Sequence, residues 1–188
     1  AQTYAKLARA CAFLVDGTLA FDPGQAKAAS ATSEKGIAYA EHGLLALSPE
    51  FEKRREAGTA MEEAIKVLCK DAVPLLYWYD INLGVWVKDQ GLSTKIKFKD
   101  VIFHVMERVA QLDPAYFYGA ADRYFGGYYA IAPSFAGGDV DKSKAHFEAA
   151  LKRAPGFFAN HVALAEDLAT KVKDKATYVR ERDFVIGA

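Results

Sequence analysis

The densest chemistry in the sequence lies between Tyr116 and Ala130, YFYGAADRYFGGYYA. Tyr118, Tyr124, Tyr128 and Tyr129 offer flat apolar rings with a polar tip, and Arg123 stands among them as a planar cation. On a regular helix, Phe117, Tyr118, Tyr124, Phe125, Tyr128 and Tyr129 fall within an arc of roughly 140°. The opposite side carries Gly119, Ala120, Gly126, Gly127 and Ala130, with Arg123 among them. Each helical glycine costs roughly 1 kcal/mol relative to alanine, so this run implies a second backbone packed close against it. Two readings of the rings follow. Either they fill the core between helices, or some line a groove, because each buried hydroxyl needs a partner. In the second reading Tyr118, Tyr124 and Tyr128 join Tyr77 and Trp78 of a neighbouring helix in a surface suited to an apolar ligand or a partner's chain. Arg123 either closes a structural ion pair or grips a carboxylate bidentately.

Other reactive residues are scattered. His42, His104, His146 and His161 form no HExxH and stand at no metal-ligand spacing from a cysteine, so neither metal nor cofactor is expected; at most His146 and His161, on successive helices, approach one another. Gly137-Gly138-Asp139 lacks the GK[ST] ending of a phosphate loop and reads as a turn plus a helix cap. Glu62-Glu63 and Glu166-Asp167 are adjacent pairs that point in different directions on a helix, and they read as solvated faces. No nucleophile setting is recognisable, no catalytic residue is assigned, and the chain is read as non-enzymatic. Cys11 and Cys69 make no CxxC pair and are read as two buried free thiols, with a disulfide between them as the alternative in an oxidising compartment.

Composition narrows the classes further. The 188 residues hold 24 Lys plus Arg against 24 Asp plus Glu, which argues against a nucleic-acid partner. With 52% apolar and 26% charged residues, the chain has enough to build a core and is not disordered. The apolar run from Ala72 to Val87 is interrupted by Asp80 and Asn82 and is shorter than the roughly 20 residues a spanning helix needs. No targeting segment opens the chain. Its helical pattern is already under way at Tyr4, Leu7 and Phe13, so further residues are expected upstream.

The elements that position these groups are helical. Phe98, Val101, Ile102, Val105, Met106, Val109 and Leu112 repeat at the spacing of one helix face. Thr59 and Glu62 are spaced as a capping box. Asp22-Pro23, Ser48-Pro49 and Asp113-Pro114 each place a capping oxygen before a proline suited to the first helical position; Ala154-Pro155 keeps only the proline. Helices are expected near 2–15, 23–47, 58–69, 72–88, 97–112, 115–131, 139–153, 156–172 and 175–186, with a short turn near 49–56. The fold expected is all-α, about nine helices in stacked antiparallel hairpins, over a single domain 1–188.

Tyr124 to Pro155 is close to a tetratricopeptide unit: Phe125-Gly126 and Tyr129 suit its first helix, while Phe147, Ala150, Leu151 and Pro155 suit its second. Ser143 replaces the usual alanine, and the loop from Ala130 to Gly137 is about five residues longer than the repeat expects. Leu83-Gly84 with Val87, then Ile102, Met106, Val109 and Pro114, make a weaker copy. Three stretches, DAVPLLYW (71–78), YFYGAADRYFGGYYA (116–130) and GGDVDKSKAHFEAAL (137–151), resemble the T-component family of TRAP transporters. The resemblance implies a periplasmic, tetratricopeptide-like accessory protein that docks a TRAP-type solute-binding protein and helps pass an apolar or organic-acid ligand. It also implies self-association in some members, and membrane attachment only through a lipid anchor outside this chain. Cys11, inside an amphipathic helix, is not assigned as the lipidated residue. The alternative is a general helical scaffold for protein–protein interaction with no transport role.

Overall fold

A computed structural model describes residues 1–188. The chain is all-helical with no strand, and its ten α-helices are compatible with a tetratricopeptide-like arrangement. It packs as two compact units, Ala1–Leu112 and Asp113–Ala188.

The first unit holds α1 (Gln2–Gly17), α2 (Ala26–Leu47), α3 (Pro49–Glu56), α4 (Met61–Ala64), α5 (Val73–Lys88) and α6 (Leu92–Leu112). Helix α5 packs against α1, α2 and α6. A Cβ on Gly36 of α2 would lie 2.2 Å from the Asn82 Oδ1 of α5, so only glycine lets these helices close on that amide. Asn82 is buried and donates from Nδ2 to the Ala8 carbonyl at 3.0 Å, tying α5 to α1, and to the Trp78 carbonyl at 2.7 Å.

Several cap signals hold. Asp22 accepts from the Gly24 N–H, Ser48 Oγ from the Phe51 N–H, and Asp139 from the Asp141 and Lys142 N–H groups. The segment 49–56 is a full helix. The helix expected over 58–69 does not form as one piece. It breaks into α4, a 3₁₀ turn over Ile65–Val67 and extended backbone at Leu68 and Cys69. Two carbonyls of this stretch, on Lys66 and Leu68, accept from the Arg108 Nη2 of α6 instead of from helical N–H groups. The capping box is absent as well: the cap is Ala60, and the Thr59 carbonyl accepts from Arg55 Nη1. Helix α6 begins at Leu92, five residues before the expected 97. The cysteines are free, but Cys69 is exposed and Cys11 only half-buried, because the extended link at Leu68 and Cys69 turns the second thiol outward.

The second unit holds α7 (Tyr116–Ile131), α8 (Val140–Arg153), α9 (Phe158–Ala163) and α10 (Lys175–Ile186). Helices α7 and α8 run antiparallel, since Gly119 lies beside Arg153 while Gly126 lies beside Phe147. The helix expected over 156–172 is α9 continued by a π-helical turn, Leu164–Ala169. Its buried residues fall in pairs: Asn160 and His161, Leu164 and Ala165, Leu168 and Ala169. A repeat of four outruns the 3.6 residues of an α-helical turn, and the wider π turn absorbs the excess.

Two expected outcomes test this packing. A methyl on Gly126 would sit 2.8 Å from the ring of Phe147, which is fully buried and has no room to retreat. Gly126→Ala should therefore lower stability by about 1–3 kcal/mol in urea unfolding, despite alanine's better helix propensity. In the first unit, Asp80 is 2% exposed, its Oδ1 has no hydrogen-bond partner, and burial pushes its carboxyl well above the ordinary 3.8. Between the ordinary and the raised value the folded chain holds the extra proton, so stability falls as pH rises through that window. Asp80→Asn cannot ionise; it should raise neutral-pH stability by about 1–3 kcal/mol and flatten the fall between acid and neutral pH.

Candidate functional site

The expected arc of six rings on one regular helix is not what forms. Phe117, Tyr118 and Gly119 have φ of 43°, 62° and 74°, three successive residues in the left-handed region, and regular helix resumes only after them. For the two aromatic residues this backbone is strained by the Cβ, at about 1–2 kcal/mol each. Two rings consequently part from the other four, which stay in contact with one another along α7. Phe117 and Tyr118 turn toward Phe157, with Tyr118 stacked on it at 4.2 Å between centroids. Phe125 and Tyr129 pack on His146 of α8. Tyr124 and Tyr128 stay together, their rings nearly parallel at 6.3 Å.

The last pair lines an open groove of about 470 Å³ in the second unit, together with Arg123, Gly127, Ile131 and Asp167. Arg123, Tyr124 and Tyr128, at i, i+1 and i+5, bring side chains from one stretch of α7 to this groove. Ile131 adds an apolar edge that is 65% exposed. Asp167 comes from the π turn. A Cβ on Gly127 would lie 2.8 Å from its Oδ2, so the bare glycine is what admits the carboxylate to this face. The reading of Glu166-Asp167 as a solvated pair is thereby corrected for Asp167. The wider turn rotates it inward to half-burial and leaves Glu166 exposed.

One buried amide, fully closed to solvent, holds the arrangement. Asn160 accepts from Arg123 Nη1 at 2.8 Å and donates from Nδ2 to the Tyr118 and Ala150 carbonyls, both at 3.1 Å. It therefore clamps the left-handed turn, the end of α8 and the guanidinium at once. Arg123 also lies over the Phe157 ring, Cζ to centroid 5.2 Å, so the ring is flanked by the cation and by Tyr118. Ser143, in place of the repeat's alanine, donates to the Gly126 carbonyl at 2.7 Å and closes the α7–α8 seam.

The other residues singled out from sequence lie elsewhere. Tyr118 is 54% exposed on the left-handed turn. Tyr77 and Trp78 belong to the first unit, where they are 3% and 4% exposed and meet edge to face at 4.7 Å. His146 and His161 take separate acidic partners, Asp122 at 3.0 Å and Glu181 at 2.6 Å. Asn160, Phe157 and Asp167 were missed. The only signal for the last was the four-residue apolar period that forces the π turn.

The family model of the TRAP transporter T-component matches residues 4–186. The chain belongs to the TRAP transporter T-component family. This places it with TRAP transporters, as a component of a transport system and not in an enzyme class. No curated protein matches the chain. No helix of this T-component is long and apolar enough to cross a membrane.

Removal of the Asn160 amide takes one donor from each of the Tyr118 and Ala150 carbonyls and one acceptor from Arg123. Asn160→Ala should lose about 2–4 kcal/mol of stability, read by urea unfolding followed by circular dichroism.

Proposed function

We propose that this T-component is a periplasmic accessory protein that docks the solute-binding subunit of a TRAP transporter and helps pass a ligand of apolar or organic-acid character. The observation that carries the reading is the groove along α7. It presents two tyrosine rings, an exposed isoleucine and one charge of each sign, in a chain of a transporter-component family. Tyrosine and arginine are the side chains that most often anchor protein–protein contacts, because they bury large area with little loss of rotamer freedom. Tyr118 supplies a second anchor. Its ring is backed by Phe157 and its backbone is clamped by Asn160, so an exposed aromatic is held in one orientation before any partner arrives. Attachment to a membrane, on this reading, comes from a lipid outside residues 1–188.

Titration calorimetry of the purified chain against the solute-binding protein of its transporter tests the docking. A complex is expected, and Tyr118→Ala and Tyr124→Ala should each weaken it about tenfold or more with an unchanged far-ultraviolet spectrum. Because the anchors are rings, raising salt should change the affinity little. Absence of a complex, or variants that bind as the parent does, would remove the reading.

A further inference from the structure

Helix α6 begins five residues earlier than its apolar spacing predicts, and the added helix is open to solvent. No residue from Leu92 to His104 is buried; the core contacts of α6 start only at Val105, Met106 and Val109. Leu92, Lys95, Ile96 and Lys99 stand at i, i+3, i+4 and i+7, so they share one face of this free end. Leu92 is 73% exposed and Ile96 66%, more than any other large aliphatic side chain of the first unit. Phe98 lies off this stripe and packs edge to face on Trp86 of α5, with ring centroids 5.8 Å apart, which fixes the free end to the unit. The stripe is therefore held in one orientation before anything meets it.

Its charge is one-sided. From Lys88 to Asp100 the chain carries four lysines against two aspartates, in a protein of zero net charge. Lys95, Lys97 and Lys99 are exposed and form no ion pair. A protein partner suits such a surface poorly: lysine is depleted from the centres of protein–protein contacts, because its ammonium is compact and strongly hydrated. A lipid surface accepts both halves. Aliphatic side chains enter the boundary between headgroups and acyl chains, while lysines reach anionic phosphates on flexible stems.

We infer that the opening turns of α6, Leu92 to Lys99, form a docking surface for an anionic lipid bilayer. Leu92 and Ile96 enter the headgroup boundary, and Lys95, Lys97 and Lys99 meet the negative surface around them. The contact is peripheral and spans nothing. It sets which end of the first unit faces the bilayer, and it stands independently of the docking and ligand reading proposed for α7.

Co-sedimentation of the full chain with two kinds of vesicle, phosphatidylcholine alone and phosphatidylcholine mixed with phosphatidylglycerol, tests the surface. At low salt the chain should partition at least about tenfold more strongly onto the anionic vesicles, and the difference should shrink as salt rises. Replacing Lys95, Lys97 and Lys99 together by glutamine should reduce that partition about tenfold or more. Leu92→Ser combined with Ile96→Ser leaves the charge untouched and should also weaken it about tenfold. All five side chains are exposed, so both variants should keep the parent's far-ultraviolet spectrum and melting temperature. Equal partition onto the two kinds of vesicle, partition onto neither, or an apolar variant that sediments as the parent does would overturn the inference. Weaker binding of the solute-binding protein by the apolar variant, with no vesicle binding by the parent, would assign the surface to a protein partner instead.

Discussion

The carboxamide of Asn160 connects three segments of the second unit. It reaches the Tyr118 carbonyl in the left-handed turn, the Ala150 carbonyl near the end of α8, and the guanidinium of Arg123 on α7. Each of these groups is costly to leave alone: buried carbonyls need donors, and a cation near apolar rings needs an acceptor. One buried side chain with a donor end and an acceptor end meets all three needs. An aliphatic residue of the same size would meet none of them. The orientation of Arg123, and so the charged end of the groove, follows from this clamp.

Backbone irregularities bound α7 from two directions. At its start, the left-handed turn swings Phe117 and Tyr118 away from the remaining rings and onto Phe157. Across the groove, the π turn rotates Asp167 onto Gly127. Such departures are retained where surrounding contacts over-determine them, and they recur at functional sites. Here each one brings a side chain to the surface of the same helix. Between them, the seam with α8 is held by Gly126 against the Phe147 ring and by the Ser143 hydroxyl on the Gly126 carbonyl. The glycines that weaken α7 as an isolated helix are thus what its neighbours require.

The first unit solves a similar problem with a different residue. Asn82 fits against the bare backbone of Gly36 and ties α5 to α1 through the Ala8 carbonyl. Asp80, two residues earlier, has no such partner for its Oδ1, which leaves a buried acid as the weak point of α5. Arg108 shows how a tertiary contact overrides local preference. By occupying the Lys66 and Leu68 carbonyls, it replaces the helix that the apolar spacing of 58–69 suggests.

The amino-acid sequence alone determined the helical class, the prolines and capping oxygens that start α2's approach, α3 and α8, and the close seam along the glycines of α7. These features depend on spacing between near neighbours, and near neighbours are visible in a linear string. It also carried three of the groove residues, Arg123, Tyr124 and Tyr128, because they sit on one continuous stretch of helix. Tertiary structure alone decided the rest: the left-handed turn that removed Tyr118 from the arc, the placement of Tyr77 and Trp78 inside the first unit, and the arrival of Asp167 and Asn160 at α7. Each of these is set by a partner between 37 and 42 residues away in the chain or by packing against another helix. A hydrogen bond across that distance balances strain that no local pattern records.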